Sequence, residues 1–243
     1  MKRAAPAPSI TLWPALREVA ALGVPTGLHF VLESMAFTTF VAILGTFGAA
    51  QMAAHHLALS TMRASFLPGV AVAEAASVLV ARSLGERRLD EADRVTRASL
   101  ALGVAFMTLC GVGFALFGAT LAGAFTDDTE VIRIARRLFL VAAVFQTFDA
   151  INMILRGALR GAKDVRWVAV VGTVVAWVTI PGAAFLLGRV MGWGAVGGWI
   201  GFVFETTVGA TLLWRRWSRG PWRASFGETV SEPGPAPASA LAG

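Results

Sequence analysis

Charge is what this sequence has least of. Only 15% of its 243 residues are Asp, Glu, Lys or Arg, while 56% are hydrophobic. An ordinary soluble domain holds about 25% charged and 45–50% apolar residues. A soluble fold needs a polar shell around its core, and so few charges cannot make one. A water-soluble enzyme is therefore excluded, and the apolar richness excludes disorder for the bulk of the chain. Cysteine is nearly absent as well. Cys110 stands alone, so there is no intrachain disulfide and no cysteine metal cluster, and its expected role is that of a small apolar residue. No nucleophile elbow, phosphate-binding loop, dinucleotide fingerprint or spaced metal motif occurs. Without a catalytic constellation the chain reads as a non-enzyme, with no cofactor. His55 and His56, placed in a short outer loop, diverge as neighbours do and make a poor chelate.

What the sequence has instead is apolar runs of membrane-spanning length. A bilayer core about 30 Å thick needs about 20 apolar residues as a helix. Six runs qualify, at 23–48, 57–80, 98–125, 138–155, 167–188 and 192–214. They are long and do not alternate apolar with polar, so helices are predicted rather than barrel strands. Net charge is +6 and the isoelectric point about 11.1. Yet the basic residues sit between apolar runs, which speaks for cytoplasmic loops and against a nucleic-acid partner. With the N-terminus inside, 16 Lys and Arg fall on the cytoplasmic side and four outside, with Arg63 inside a span. The positive-inside rule then predicts an inner or plasma membrane protein with both termini cytoplasmic.

Three parts are expected. Residues 1–22 form a cytoplasmic and interfacial segment, with Trp13, Leu16 and Val19 on a short surface helix and no secretory signal. Residues 23–217 form a six-helix transmembrane lobe. Residues 218–243, rich in Pro, Ala, Gly and Ser, form a disordered cytoplasmic tail. The charged stretch from Arg82 to Arg97 is expected as a solvated cytoplasmic loop with helical character. Most tryptophans lie near span ends (Trp13, Trp167, Trp193, Trp214, Trp217, Trp222), as interface anchors. Gly111 and Gly113 read as packing residues within an uncharged span.

Carboxylates inside spans carry most of the functional information, because each costs about 2.5–3.5 kcal/mol at mid-helix and is a functional hypothesis by default. Asp149 lies in a short span with Gln146 and Asn152 three residues either side and Arg156 seven on. On a helix these form one polar stripe, which suits a small hard cation or a proton; a structural seam with Asp149 paired to Arg156 is the alternative. Glu33 lies one turn after His29 on the same face, following Gly23-Val24-Pro25, and a pair with His29 or Arg63 is its structural alternative. Glu74 sits among small residues near the cytoplasmic end, in reach of a basic residue there, and Glu205 has no polar stripe around it. Both are weaker candidates for lining the site.

The motifs resemble those of a known family. Leu67-Pro68-Gly69, Ala75-Ala76-Ser77-Val78-Leu79-Val80 and Leu84-Gly85 are similar to the eighth helix of multidrug and toxic compound extrusion (MATE) transporters. Ala81-Arg82 stand where family members often carry Gly-Gln. Phe125-Thr126-Asp127-Asp128-Thr129-Glu130 resembles the loop after the ninth helix. Phe145-Gln146 with Asp149-Ala150, and Gly157 to Asp164, resemble the tenth helix and the loop that follows. Gly23-Val24-Pro25 with Glu33 resembles the seventh. The resemblance spans residues 15–217. It implies an all-α membrane protein whose six transmembrane helices form one lobe, the second, of a twelve-helix MATE-like antiporter of the MOP flippase superfamily. It further implies Glu33 and Asp149 as the Na⁺ or H⁺ coupling site, with His29, Gln146, Asn152, Glu74 and Glu205 as candidate lining residues. The implied activity is cation-coupled export of cationic amphipathic drugs across the lipid bilayer. Since the first lobe is not in this sequence, the expected partner is a second copy or a separately encoded N-terminal half. A flippase for lipid-linked sugars and a non-transporting fragment are the other readings.

Overall fold

A computed structural model of the chain describes residues 12–223. Six helices follow one another: α1 (Leu12–Gly45), α2 (Ala49–Gly85), α3 (Leu89–Gly123), α4 (Thr129–Gly161), α5 (Val165–Ala183) and α6 (Gly194–Arg219). α5 continues as a wider, π-helical stretch over Ala184–Val190, and a short 3₁₀ turn, Pro221–Arg223, follows α6. Each helix is long and apolar enough to cross a membrane. Helices form because a segment in hydrocarbon must satisfy every backbone N–H and C=O within itself.

Several boundaries differ from the sequence expectation. The surface helix expected before the first span is continuous with it, since α1 runs unbroken from Leu12 through Pro25. The charged stretch 82–97 contributes the end of α2 and the start of α3, with a turn of only three residues between. In that turn Arg87 adopts a left-handed backbone (φ 58°), and Lys163 does the same between α4 and α5 (φ 61°). Each turn closes its helix with a bond that spans six residues, Arg88 N–H to the Ser83 carbonyl (2.8 Å) and Asp164 N–H to that of Leu159 (2.9 Å). At the other end α4 is capped by Asp128, whose Oδ1 accepts from the N–H of Glu130 (2.8 Å). α6 runs on to Arg219, past the expected boundary at 217. The turn after it packs back, with Trp222 buried and stacked 4.4 Å from Trp217. These two tryptophans are core residues, not interface anchors. The tail expected as disordered otherwise lies outside the described residues, as do residues 1–11.

Packing divides the bundle into two groups. α2, α3 and α4 pack on one another, α1 and α6 pack on α5, and α4 joins the groups through α6. α1 and α2 touch little beyond their connection, so a cleft opens between them. Small residues set the closest approaches. Gly157 and Gly161 on α4 face the backbone of Ala73 and Ser77 on α2, and Gly111 on α3 faces that of Ala143. Gly113, by contrast, faces open space. Large side chains such as Leu109 and Leu116 are exposed on the outer faces, where lipid tails surround them and impose no solvation penalty.

Gly157→Ala would push a methyl into the Ala73 carbonyl, so it should destabilise the bundle by about 1–3 kcal/mol. Gly113→Ala should be neutral or slightly stabilising. Thermal unfolding in detergent distinguishes the two, and equal midpoints would refute the packing assignment.

Candidate functional site

The cleft between α1 and α2 has a volume of about 570 Å³ and is floored by α4 and α6. Its walls are mostly aromatic and aliphatic, including Phe30, Phe37, Phe66 and Phe202. Set into them are three carboxylates from three helices: Glu33 of α1, Asp149 of α4 and Glu205 of α6. Glu205 is buried, with 7% of its surface exposed.

Arg156 of α4 ties the cluster together. Its Nη1 donates to Glu33 Oε1 (3.1 Å), its Nη2 to Glu205 Oε1 (2.9 Å) and its Nε to Asn152 Oδ1 (2.6 Å). The same Nη1 lies 3.1 Å from His29 Nε2. A guanidinium only donates, so His29 Nε2 accepts, and the imidazole carries its proton on Nδ1. That nitrogen lies 2.9 Å from Thr173 Oγ1 of α5, to which it donates. Gly172 leaves the room for this arrangement, because a side chain there would meet the His29 ring. Thus one arginine connects, directly or through His29, four helices.

The stripe expected on α4 does not act as one unit. Three residues advance a helix by about 300°, so each step of the stripe rotates by about 60°. Gln146 therefore turns to α2 and donates to Ser65 Oγ (2.7 Å). Asp149 faces the cleft, and Asn152 lies buried against Arg156. Asp149 has no hydrogen-bond or ion-pair partner among the described residues. Asp149 forms no salt bridge with Arg156, and Glu33 forms none with Arg63; of the two partners expected for Glu33, His29 lies beside it, with Nε2 3.7 Å from Oε2, and Arg156 adds a closer pair. Arg63 lines the cleft and likewise has no ion-pair partner among the described residues. Glu74 stands outside the cleft and pairs with Arg160 at 2.6 Å.

The histidine pair belongs to the beginning of α2, not to a loop. His55 is fully buried, and its Nδ1 accepts from Trp199 Nε1 (3.1 Å). Glu205 has no polar stripe around it on α6, and its partner Arg156 comes from another helix, so no spacing along α6 signals the pair. The available signal was Arg156 itself, a basic residue at the edge of a span rich in polar groups.

Electrostatically, two of the three carboxylates, Glu33 and Glu205, share one hydrogen-bonded guanidinium. Carboxylates in a membrane interior are tolerated when paired, protonated or bound to a cation. Glu33 and Glu205 share Arg156, while Asp149 offers two free oxygens to the cleft. Among the described residues no three His, Cys, Asp or Glu side chains converge as metal ligands, so what the cleft offers is one unpaired carboxylate beside apolar and aromatic walls.

Comparisons with known proteins agree with this architecture. Residues 25–185 match the family model described as MatE. The chain is 32% identical over 204 residues to a probable multidrug resistance protein NorM of Xylella fastidiosa, covering 84% of this chain and 44% of that protein. It is 33% identical over 209 residues to the protein of that name from Rhizobium meliloti, covering 84% and 45%. The chain spans about half the length of the curated relatives it matches. Among solved structures, the eukaryotic MATE transporter AtDTX14 superposes with a TM-score of 0.81 at 21% identity, over 91% of this chain and 50% of that one. The bent form of the Vibrio cholerae MATE transporter VcmN gives 0.80 at 17%, over 90% and 49%. With the six-helix fold and the family match in agreement, the chain is an integral membrane protein that belongs to the MatE family.

Proposed function

We propose that this chain is one lobe of a cation-coupled exporter of cationic, amphipathic compounds, with Glu33 and Asp149 holding the coupling Na⁺ or H⁺. The observation that carries this reading is the cleft itself, where three carboxylates line an apolar, partly aromatic cavity and two of them, Glu33 and Glu205, pair with Arg156 behind its wall. The relatives' names, multidrug resistance protein NorM among them, support the choice of substrate class.

The coupling follows from charge. A cationic drug in the cleft is held by the ionised carboxylates. Entry of Na⁺ or H⁺ at Asp149 and Glu33 neutralises them and weakens that hold, so the drug leaves. Release of the cation on the other side restores the charge. Glu205 and Arg156 keep Glu33 oriented towards the cleft, and His29 braces Arg156 against α5. The one-sided distribution of Lys and Arg favours both termini in the cytoplasm. The lobes of such transporters are parallel repeats related by an axis along the membrane normal. Six spans start and end on one side, so a second copy or a separately encoded lobe can supply the facing half.

In proteoliposomes with an imposed Na⁺ or H⁺ gradient, the chain should move a cationic dye in a gradient-dependent way. Asp149→Asn and Glu33→Gln should each lower that rate at least tenfold, since a charge interaction used in every cycle is lost. Equal rates in the native chain and both variants would sink the cation-site assignment.

Removing the hub arginine should cost stability as well as transport. Arg156→Gln leaves Glu33 and Glu205 without their shared cation, a loss of about 3–5 kcal/mol for a buried pair broken on one side. Arg156→Lys should recover part of it. A thermal midpoint unchanged by Arg156→Gln would show that the cluster contributes nothing to holding the helices together.

A further inference from the structure

The end of α6 carries Arg215, Arg216 and Arg219 within two turns. Arg216 is engaged. It makes a two-bond pair with Asp164 (2.6 and 3.1 Å) and lies 5.1 Å over the Trp167 ring. Arg215 and Arg219 are exposed, lie four residues apart on one face, and have no hydrogen-bond or ion-pair partner among the described residues. With Trp167 and Ser218 they line a cavity of about 700 Å³ at this end of the bundle.

A second cavity of about 480 Å³ lies beside the first, and Trp214 lines both. Its other walls are nearly all apolar, with Leu100 and Val104 from α3, Phe148 and Ile151 from α4, and Ala210 from α6. The trough exists because α3 and α6 both pack on α4 but hardly on each other. Favourable interaction with the helix dipole accounts for basic residues in a last turn. It does not account for an apolar trough that begins where those residues end, nor for an exposed tryptophan, 47% accessible, between the two.

We propose that the two cavities together bind one anionic phospholipid, its phosphate at Arg215 and Arg219 and an acyl chain in the trough. Guanidinium groups offer paired donors that match phosphate oxygens. Basic pockets at the end of a transmembrane bundle hold anionic headgroups, and tryptophan sits at headgroup level. Charge complementarity selects the headgroup, and the apolar trough selects a lipid over a free phosphate. So placed, the lipid fills the gap over α4 and ties α3 to α6. The site is separate from the cleft between α1 and α2, and its occupancy does not depend on transport.

Native mass spectrometry of the 243-residue chain in neutral detergent tests this, with phosphatidylglycerol, phosphatidylcholine of the same acyl chains and glycerol 3-phosphate as probes. Phosphatidylglycerol should bind about tenfold more tightly than phosphatidylcholine. Arg215→Gln with Arg219→Gln should abolish that preference, the double Lys variant should keep most of it, and Arg136→Gln with Arg137→Gln at the other end should leave it intact. Val104→Trp, which fills the trough, should weaken both lipids. The proposal is overturned if the preference survives the Arg215 and Arg219 substitutions, or is lost equally in the Arg136 and Arg137 control. It is also overturned if glycerol 3-phosphate binds as tightly as phosphatidylglycerol, or if the chain appears only as a dimer that excludes lipid.

Discussion

One guanidinium links the two groups of helices. Arg156 extends from α4 and contacts Glu33 of α1 and Glu205 of α6, while His29 relays the contact to Thr173 of α5. In a medium that offers no water to unpaired charge, these groups must find one another or stay neutral. Apolar packing alone drives helices together weakly in lipid, because the tails are as apolar as the side chains. A shared ion cluster therefore has a directing role that a soluble core would give to hydrophobic burial. It joins α4, from the first group of helices, to all three of the second.

The same cluster shapes the cleft. By taking up Glu33 and Glu205, Arg156 leaves Asp149 as the cleft carboxylate without a hydrogen-bond or ion-pair partner among the described residues, on a wall that is mostly aromatic and aliphatic. The weak contact between α1 and α2 keeps that wall open. Close packing elsewhere makes the opening possible. Gly157 and Gly161 let α2 lie directly against α4, so the polar groups of α4 emerge at one side only. Where α3 and α6 fail to meet, a second opening forms. Its apolar walls, and the arginine-lined cavity that shares Trp214 with it, differ in chemistry from the acidic cleft.

Much of this was legible beforehand. Six apolar runs predicted six helices, because length and composition suffice when the backbone must satisfy itself. The motifs around Pro68, Asp149 and Gly157 carried the family resemblance, and Glu33 and Asp149 stood out as acids in spans. Other features were not legible. Helices extend well past their apolar runs, since charged residues continue a helix as readily outside the hydrocarbon as apolar ones do within it. His55 looked like a loop residue, but the partner that buries it is Trp199, on the far side of the sequence. Trp217 and Trp222 looked like anchors until a turn after α6 brought their rings together.

By itself, then, the sequence determined that the chain is helical, lies in a membrane and carries acids there, since these follow from local composition and from the energetics of a single segment in lipid. Only the tertiary structure decided which of the polar residues meet. Glu205, weakly signalled by its own surroundings, joins the cluster. Gln146 turns away to Ser65, and Glu74 leaves for Arg160. The reason is geometric: a residue's direction around its helix is readable from spacing, but which neighbour occupies that direction depends on how closely the helices approach, and small residues on several helices set that together.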